Sequence, residues 1–353
     1  MSLLRLPFAA GALLALCAGT EKFAPPAPAA PPVPPTTTAS APRPVLRFNA
    51  AGEFKIVQLT DSHLKFRKGK TGGAQTLAAH AKILDAEKPD LVVYTGDNVT
   101  NRPPQPAWDA LLAVPSQRKI PFAVVLGNHD DEGGWSRAKI FEYTTDRSRF
   151  PWNLSERGPA NIKGEGNFLL PVLPSKTAAG SAPTAGSTAG STAAAGKPAA
   201  LLYFLDSGAY GRTAAGKQQG YDSIAPEQIR WYQERSAAFT AGNAGKPLPA
   251  LMFFHIPLQE YSLMVDTKNR RNFVPQRPVI GLRTEAECPG WLNTGMFAAL
   301  YRAGDVFGVF CGHDHDNDYI SVLEGIALAY GRFSGHAENV YNHIGSGARV
   351  IVL

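Results

Sequence analysis

The sequence of 353 residues predicts an α/β fold, and three observations support this prediction. Short apolar runs rich in branched side chains recur along the chain, as expected of buried strands. Two of these runs flank a stretch whose apolar residues recur at helical spacing. Five of the runs lead into short motifs that contain Asp, Asn or His. Since 44% of the residues are apolar, the chain can bury a full core, and we expect one domain of this class.

The first element pair is a predicted strand, Phe54–Thr60, and a predicted helix, Thr76–Asp90. A second predicted strand, Asp90–Thr95, follows at once. The order strand, helix, strand indicates a parallel βαβ unit. Three more apolar runs predict strands, with the sequences PFAVVL, ALMFF and VFGVFC.

Polar tips follow these five strands, with the sequences DSH, GDN, GNHDD, HIP and GHDHDND. In open α/β sheets, functional groups gather at the carboxyl ends of the strands. We therefore expect all five tips to converge on one cleft.

The amino-terminal region predicts export. Residues 1–19 combine a short basic start with an apolar run that is too short to span a membrane, which is typical of a secretory signal. Cys17 allows a lipid anchor as an alternative, although Leu16 before it is larger than such cleavage sites favour. We expect a secreted or periplasmic protein without a transmembrane segment.

Two segments of biased composition border or interrupt the domain. Residues 20–47 are rich in Pro and Ala and predict an extended linker, so that the domain is expected over residues 48–353. Residues 176–200 are low in complexity, and we interpret them as a loop that connects two strands, NFLLPVL and LLYFLDS. Within the domain, Cys288 and Cys311 leave open one disulfide or two free thiols.

Charge argues against a nucleic-acid surface. Removing the four basic residues and Glu21 that precede Phe48 leaves 31 basic and 28 acidic residues, a net charge of +3. No run of Lys and Arg with interleaved aromatic residues accompanies this small excess. We expect a small substrate and no nucleic acid.

The polar tips offer oxygen and imidazole donors and no thiolate. Such a set suits divalent Mn, Fe, Zn or Ni and argues against a structural zinc finger. It also exceeds what one ion needs, so we expect two divalent metal ions with a shared carboxylate. The donors are Asp61, His63, Asp97, Asn128, His129, Asp130, His255, His313 and His315.

In this order, the motifs DSH, GDN, GNHD, FFHIP and GHDH resemble the signature of the calcineurin-like metallophosphoesterases. The stretches LDSGAYG, GYDSI and CGHDHDNDY resemble the purple-acid-phosphatase-like subgroup of that superfamily. The resemblance implies a four-layer α/β/β/α sandwich of two mixed sheets with a metal site at the strand ends.

The resemblance also implies roles for individual residues. One metal would be held by Asp61, His63, Asp97 and His315, and the other by Asp97, Asn128, His255 and His313. His129 would contact the phosphate or protonate the leaving group, and Asp130 would orient His129 by a hydrogen bond.

Two positions depart from the purple acid phosphatases. Where their motifs have DxG and GDxxY, this chain has His63 and Thr100. The tyrosinate that colours those enzymes is therefore not expected here, and His63 fits the more general DxH form of the superfamily.

These observations predict a phosphoesterase that hydrolyses phosphomonoesters by attack of a metal-bridging hydroxide on phosphorus. A phosphodiesterase of the same fold is the first alternative. The second, from another class, is a non-catalytic surface- or carbohydrate-binding module, because folds are reused without their chemistry.

Overall fold

The computed structural model describes residues 43–176, 196–266, 268, 272–274, 277, 279–336 and 342–353. The expected signal at residues 1–19 lies outside these ranges. So do residues 20–42 of the expected linker and residues 177–195 of the low-complexity loop.

Eighteen helices and strands make up the described fold, besides short 3₁₀ helices. The first half of the chain forms β1 (Lys55–Leu59), α1 (Gly72–Glu87), β2 (Leu91–Thr95), α2 (Gln105–Gln117), β3 (Phe122–Val125), α3 (Arg137–Thr144), β4 (Phe168–Val172) and β5 (Ala200–Phe204). The second half forms β6 (Tyr210–Arg212), β7 (Gln218–Tyr221), α4 (Pro226–Gly242), β8 (Ala250–Phe253), β9 (Val279–Ile280), α5 (Met296–Ala303), β10 (Val306–Cys311), β11 (Ile320–Leu323), β12 (Ile326–Tyr330) and β13 (Arg349–Val352).

Two mixed sheets form the centre of the molecule. The first has the strand order β13-β1-β2-β3, in which β1, β2 and β3 are parallel and β13 is antiparallel to β1. The second has the order β4-β5-β8-β10-β12-β11-β9, with a parallel centre from β5 to β12. A separate hairpin is formed by β6 and β7.

Packing between these sheets and the helices produces four layers. Side chains such as Val93 and Phe253 form an apolar core between the two sheets. The outer face of the first sheet packs on helices through residues such as Trp108 of α2, and that of the second sheet through residues such as Tyr232 of α4. Strands covered on both faces are apolar on both faces, as LVVYT in β2 shows. The predicted α/β/β/α sandwich is confirmed.

Helix α1 begins at Gly72, four residues before the predicted start at Thr76. Its apolar contacts with the sheet begin only later, which is why the periodic pattern missed the first turn. It ends where Lys88 adopts a left-handed backbone, with φ of 47°, and Pro89 follows. The predicted end at Asp90 is therefore three residues too late, because proline cannot continue a helix and Pro89 lies inside the predicted range.

The packed domain begins before Phe48. Leu46, which the sequence assigns to the linker, is 4% exposed and belongs to the core between the sheets. Its carbonyl oxygen accepts a hydrogen bond from the backbone N–H of Leu173, just beyond β4. Strands β4 and β5 flank the low-complexity loop and pair antiparallel, as expected of two strands that a loop connects.

Both cysteines of the domain are free thiols, Cys288 exposed and Cys311 buried at the end of β10. Within the described ranges, no helix has the length and apolar character that crossing a membrane requires.

Candidate metal centre

The loops that follow five strands of the two sheets carry the candidate ligands. The first sheet supplies Asp61 and His63 after β1, Asp97 after β2 and Asn128 after β3. The second sheet supplies His255 after β8, and His313 and His315 after β10. All seven side chains meet at one place, because the carboxyl ends of the parallel strands of both sheets open toward it.

The first group consists of Asp61, His63, Asp97 and His315, whose potential ligand atoms all lie within 4.8 Å of one another. Nε2 of His63 lies 3.1 Å from Nε2 of His315, although the two residues are 252 positions apart. Oδ1 of Asp61 lies 3.5 Å from Nε2 of His315, and Oδ2 of Asp97 lies 3.6 Å from Nε2 of His63.

The second group consists of Asp97, His255 and His313. Nε2 of His255 lies 3.2 Å from Oδ2 of Asp97 and 3.1 Å from Oδ1 of Asn128, which brings the fourth expected member to the same place. Asp97 therefore belongs to both groups, and the same carboxylate oxygen, Oδ2, faces a histidine of each.

A hydrogen bond to the backbone orients His255. Its Nδ1 lies 2.8 Å from the carbonyl oxygen of Thr95, which can only accept, so Nδ1 carries the hydrogen. Nε2 of the same ring is then directed at Asp97 and Asn128. Outer hydrogen bonds of this type fix the tautomer of histidines that bind metals.

The electrostatics around Asp97 and His255 favour positive charge. Burial lowers the pKa of His255, but the charge of Asp97 and the hydrogen bond to it outweigh burial and raise this pKa to about 9. Burial likewise raises the pKa of Asp97, yet the neighbouring histidines hold it well below its usual range. A cation placed among these groups would be stabilised by the same field.

The backbone is strained at four of the candidate ligands. Asp61, His63, Asp97 and His313 have φ values of 54°, 42°, 50° and 79°, and they make up four of the eight non-glycine residues with positive φ in the described ranges. Residues other than glycine rarely adopt this left-handed backbone conformation. Strain of this kind is retained where the surrounding structure imposes it, and it clusters at functional sites.

Two motif glycines leave space for ligands. A Cβ atom on Gly96 would lie 2.3 Å from Nδ1 of His255, and one on Gly312 would lie 1.9 Å from Oγ1 of Thr60 and 2.5 Å from Oδ2 of Asp61. Gly96 also has a φ of 93°. The glycines of GDN and GHDH are therefore required, because a candidate ligand that follows another strand occupies the place that a side chain would take.

The donor set fits a pair of divalent cations. Two ligand atoms on opposite sides of an ion, each about 2.1 Å from it, are about 4.2 Å apart, and the potential ligand atoms of each group lie within 4.8 Å of one another. Asp61 and Asp97 are each 1% exposed, so the carboxylates lack water as a compensating partner. Imidazole, carboxylate and amide donors of this kind suit hard or borderline metals.

His129 lies beside the two groups without belonging to either of them. Its ring centroid is 5.5 Å from that of His63, and its backbone N–H donates to Oδ1 of Asp97 at 2.8 Å. Its side chain is 35% exposed, whereas His255 is completely buried. This ring is thus placed where a substrate on the metals could reach it.

The expectation that Asp130 orients His129 is wrong in this structure. The carboxylate of Asp130 is buried and accepts hydrogen bonds from the backbone N–H groups of Asn98, Val99 and Gly127. Burial and the charge of Asp97 raise its pKa to about 7. Asp130 therefore holds the loops after β2 and β3 together, and these loops carry Asp97 and Asn128.

Sequence reasoning missed three residues at this site. Oε1 of Glu132 lies 2.9 Å from Nδ1 of His129, and the hydroxyl of Tyr210 donates to the same oxygen at 3.1 Å. The ring of Tyr221 meets that of His313 edge-on, with centroids 4.1 Å apart. Glu132 had a local signal, because it follows His129 by three residues in a turn. Tyr210 and Tyr221 stand in the stretches LDSGAYG and GYDSI, whose resemblance to the subgroup could have pointed to them.

Thr100 occupies the position at which purple acid phosphatases have tyrosine. Its hydroxyl donates to the backbone carbonyl oxygen of His63 at 3.2 Å. The side chain thus supports the loop of a ligand candidate.

Comparison with known proteins agrees with this geometry. The family model described as calcineurin-like phosphoesterase matches residues 54–317. The chain is 32% identical to "Probable inactive purple acid phosphatase 29" of Arabidopsis thaliana over 342 residues, which cover 89% of this chain and 80% of that relative.

Two further similarities extend beyond plants. The chain is 33% identical to "Phosphatase DCR2" of Saccharomyces cerevisiae over 307 residues, covering 79% of this chain and 48% of that longer protein. A solved dimetal phosphatase from Danio rerio is 12% identical, with a TM-score of 0.48 over 80% of this chain and 88% of that one.

Proposed function

Because the chain belongs to the calcineurin-like phosphoesterase family, and to its purple-acid-phosphatase-like subgroup, we propose that it is a metal-dependent hydrolase of phosphomonoesters. One observation carries this proposal. Oδ2 of Asp97 faces Nε2 of His63 at 3.6 Å and Nε2 of His255 at 3.2 Å, so one buried carboxylate is shared by two clusters of ligands.

Two divalent ions are part of the proposal, drawn from Mn, Fe, Zn and Ni. Asp61, His63, Asp97 and His315 would hold one of them, and Asp97, Asn128, His255 and His313 the other. When bound, such a pair supplies Lewis-acid activation of water and neutralises charge on the phosphate. The protein contributes the fixed positions of the donors, which the strained backbone and the buried hydrogen bonds maintain.

His129 is the proposed proton donor. Its exposed ring stands next to His63, and its own backbone N–H is anchored on Asp97. We assign to its Nε2 the delivery of a proton to the oxygen of the leaving group. General acids placed in this way contribute about 10² to 10⁴ in rate.

The test combines metal analysis with two substrates. The purified domain is analysed for bound elements and assayed with p-nitrophenyl phosphate and bis(p-nitrophenyl) phosphate, with and without added Mn, Zn, Fe or Ni. Two equivalents of metal and faster turnover of the monoester are the expected result.

Faster turnover of the diester would replace the proposal by a phosphodiesterase. If neither ester is hydrolysed under any supplement, the alternative of a non-catalytic binding module is favoured, and the word "inactive" in the plant relative's name gives that outcome weight.

The location of the enzyme is a separate proposal. The amino-terminal pattern supports export to a secreted or periplasmic location, with a lipid anchor at Cys17 as the alternative. Mass spectrometry of the mature amino terminus after expression of the full chain decides between cleavage near residue 19, acylation at Cys17 and no processing.

A further inference from the structure

Glu132 joins two side chains through one oxygen atom. Its Oε1 lies 2.9 Å from Nδ1 of His129 and 3.1 Å from the hydroxyl oxygen of Tyr210. Glu132 stands in a 3₁₀ helix, Asp130–Gly133, that starts immediately after His129. The turn therefore brings the carboxylate back to the imidazole.

From this contact, we infer that Glu132 is a positioning residue that fixes the tautomer and orientation of His129, and that Tyr210 holds Glu132 in place. A carboxylate only accepts, so Nδ1 of His129 carries a hydrogen. Its Nε2 is then the nitrogen left for the substrate. The inference rests on the proposed function, since it assigns a partner to the proposed proton donor.

The hairpin of β6 and β7 connects the contact between Glu132 and Tyr210 to the candidate ligand His313. Tyr210 pairs with Tyr221 across the hairpin, and their rings stack with centroids 5.9 Å apart. Tyr221 meets the ligand candidate His313 edge-on at 4.1 Å. The carboxylate of Glu132 is thus fixed relative to the ligand cluster by contacts from two separate parts of the chain.

Stability does not account for this arrangement. The side chains of His129 and Glu132 are 35% and 49% exposed, and exposed ion pairs typically contribute about 0 to 1 kcal/mol. The backbone carbonyl of Glu132, which accepts from Arg102 at 2.7 Å, would remain in any substitution of its side chain. The effect of losing the carboxylate is therefore expected in catalysis and not in folding.

His129 gives one proton to the leaving group and regains one from the attacking water. The proton on Nε2 moves to the ester oxygen as the bond from phosphorus to that oxygen breaks, which leaves a neutral imidazole. Its Nδ1 keeps its hydrogen and continues to donate to Glu132. The attacking water forms the new bond to phosphorus and releases the proton that restores His129, so alcohol and phosphate are the products.

A leaving-group series tests the inference in the metal-loaded protein. In Glu132→Ala, kcat for phenyl phosphate should fall by about 10- to 100-fold. The loss for p-nitrophenyl phosphate should stay within about threefold, because a good leaving group needs little protonation. KM and metal content should not change.

Two further variants should lose less activity than Glu132→Ala. They are Glu132→Gln, whose amide oxygen can still accept from Nδ1, and Tyr210→Phe. The control is Glu142→Ala, which removes an exposed pair with Lys139 at the same spacing and should leave all values unchanged.

A second measurement does not depend on turnover. ¹⁵N NMR of the imidazole, assigned by comparison with His129→Ala, should show hydrogen on Nδ1 in the wild type and a loss of that preference in Glu132→Ala. Equal losses for both esters, loss of metal, or an unchanged tautomer would each overturn the inference. A wild type that hydrolyses neither ester yet shows the Nδ1 tautomer would instead overturn the proposed function and leave the positioning contact standing.

Discussion

Nε2 of His255, from the second sheet, lies 3.2 Å from Oδ2 of Asp97, from the first sheet, and both residues are at most 1% exposed. No local sequence signal brings these atoms together, since 158 positions separate the two residues. The contact exists because the carboxyl ends of β2 and β8 meet where the two sheets face each other.

Asp97→Asn should remove most activity and much of the bound metal. The amide has no negative charge to share between two cations, so one or both ions should be lost. We expect at least about a 100-fold decrease in kcat/KM for p-nitrophenyl phosphate. Elemental analysis and kinetics on the same preparation measure both effects. Asp85→Asn, an exposed aspartate that pairs with Arg118, is the control and should behave as the wild type. Normal turnover by the Asp97 variant would contradict the assignment of this site.

Gly312→Ala should displace a ligand. The added Cβ would lie 1.9 Å from Oγ1 of Thr60 and 2.5 Å from Oδ2 of Asp61, and both atoms are buried behind other groups. We expect a loss of about 1 to 3 kcal/mol in the free energy of unfolding, together with weaker metal binding. Denaturant titration and elemental analysis measure the two effects. Gly242→Ala in α4 has free space around it and should be neutral or slightly stabilising. Equal behaviour of the two variants would show that the close approach is not rigid.

Arg137→Met should destabilise the fold through a buried charge. The guanidinium of Arg137 pairs with Asp206, which is 2% exposed, and donates to the carbonyl oxygen of Gly127 at 2.7 Å. Removing one partner of such a pair costs about 3 to 5 kcal/mol. The double variant Arg137→Met/Asp206→Asn should recover part of this loss, because the uncompensated charge is gone. Urea denaturation of both variants provides the measurement, and a double variant less stable than Arg137→Met would argue against the buried charge as the cause.

Because of buried His80, the free energy of unfolding should decrease as the pH falls. Burial lowers its pKa to about 4, against a usual value near 6.5, and its Nε2 donates to the carbonyl oxygen of Ser334 at 3.1 Å. The unfolded chain binds the proton more tightly, so this contribution to stability is complete above pH 6.5 and is lost as the pH falls toward 4. Between pH 7.5 and 5 the loss should be about 2 kcal/mol.

The variant His80→Gln isolates this effect, because an amide can still donate to Ser334 but does not titrate. Its free energy of unfolding should depend less steeply on pH than that of the wild type, while every other titrating group contributes equally to both proteins. Parallel pH profiles for the two proteins would rule out His80 as the source.

Much of the fold followed from the sequence because its signals are local. The runs that formed β1, β2, β3, β8 and β10 are short, apolar and branched, and each ends in a motif whose glycine or polar residues stop the strand. The start of α1 was placed too late, because its first turn carries no periodic apolar pattern. Leu46 was assigned to the linker, because one apolar residue among prolines gives no sign of the core it enters.

Within the site, the sequence identified donors but not their contacts. It named the residues of both groups, since the residue types at predicted strand ends can be read directly from the sequence. It paired His129 with Asp130, the adjacent acid, whereas the structure pairs His129 with Glu132 and binds Asp130 to backbone N–H groups. The direction of a side chain in a turn depends on backbone dihedrals that residue types alone do not specify.

The sequence by itself therefore determined the class of fold, the strand ends that carry function and the chemical nature of the donors, because each depends on residue type and short-range spacing. The family resemblance already implied that Asp97 is shared by two groups. Tertiary structure alone decided that Nε2 of His63 meets Nε2 of His315 across 252 positions and that Glu132 reaches His129. These relationships are distances of a few ångströms, which are set by the packing of two sheets and the strained loops between them.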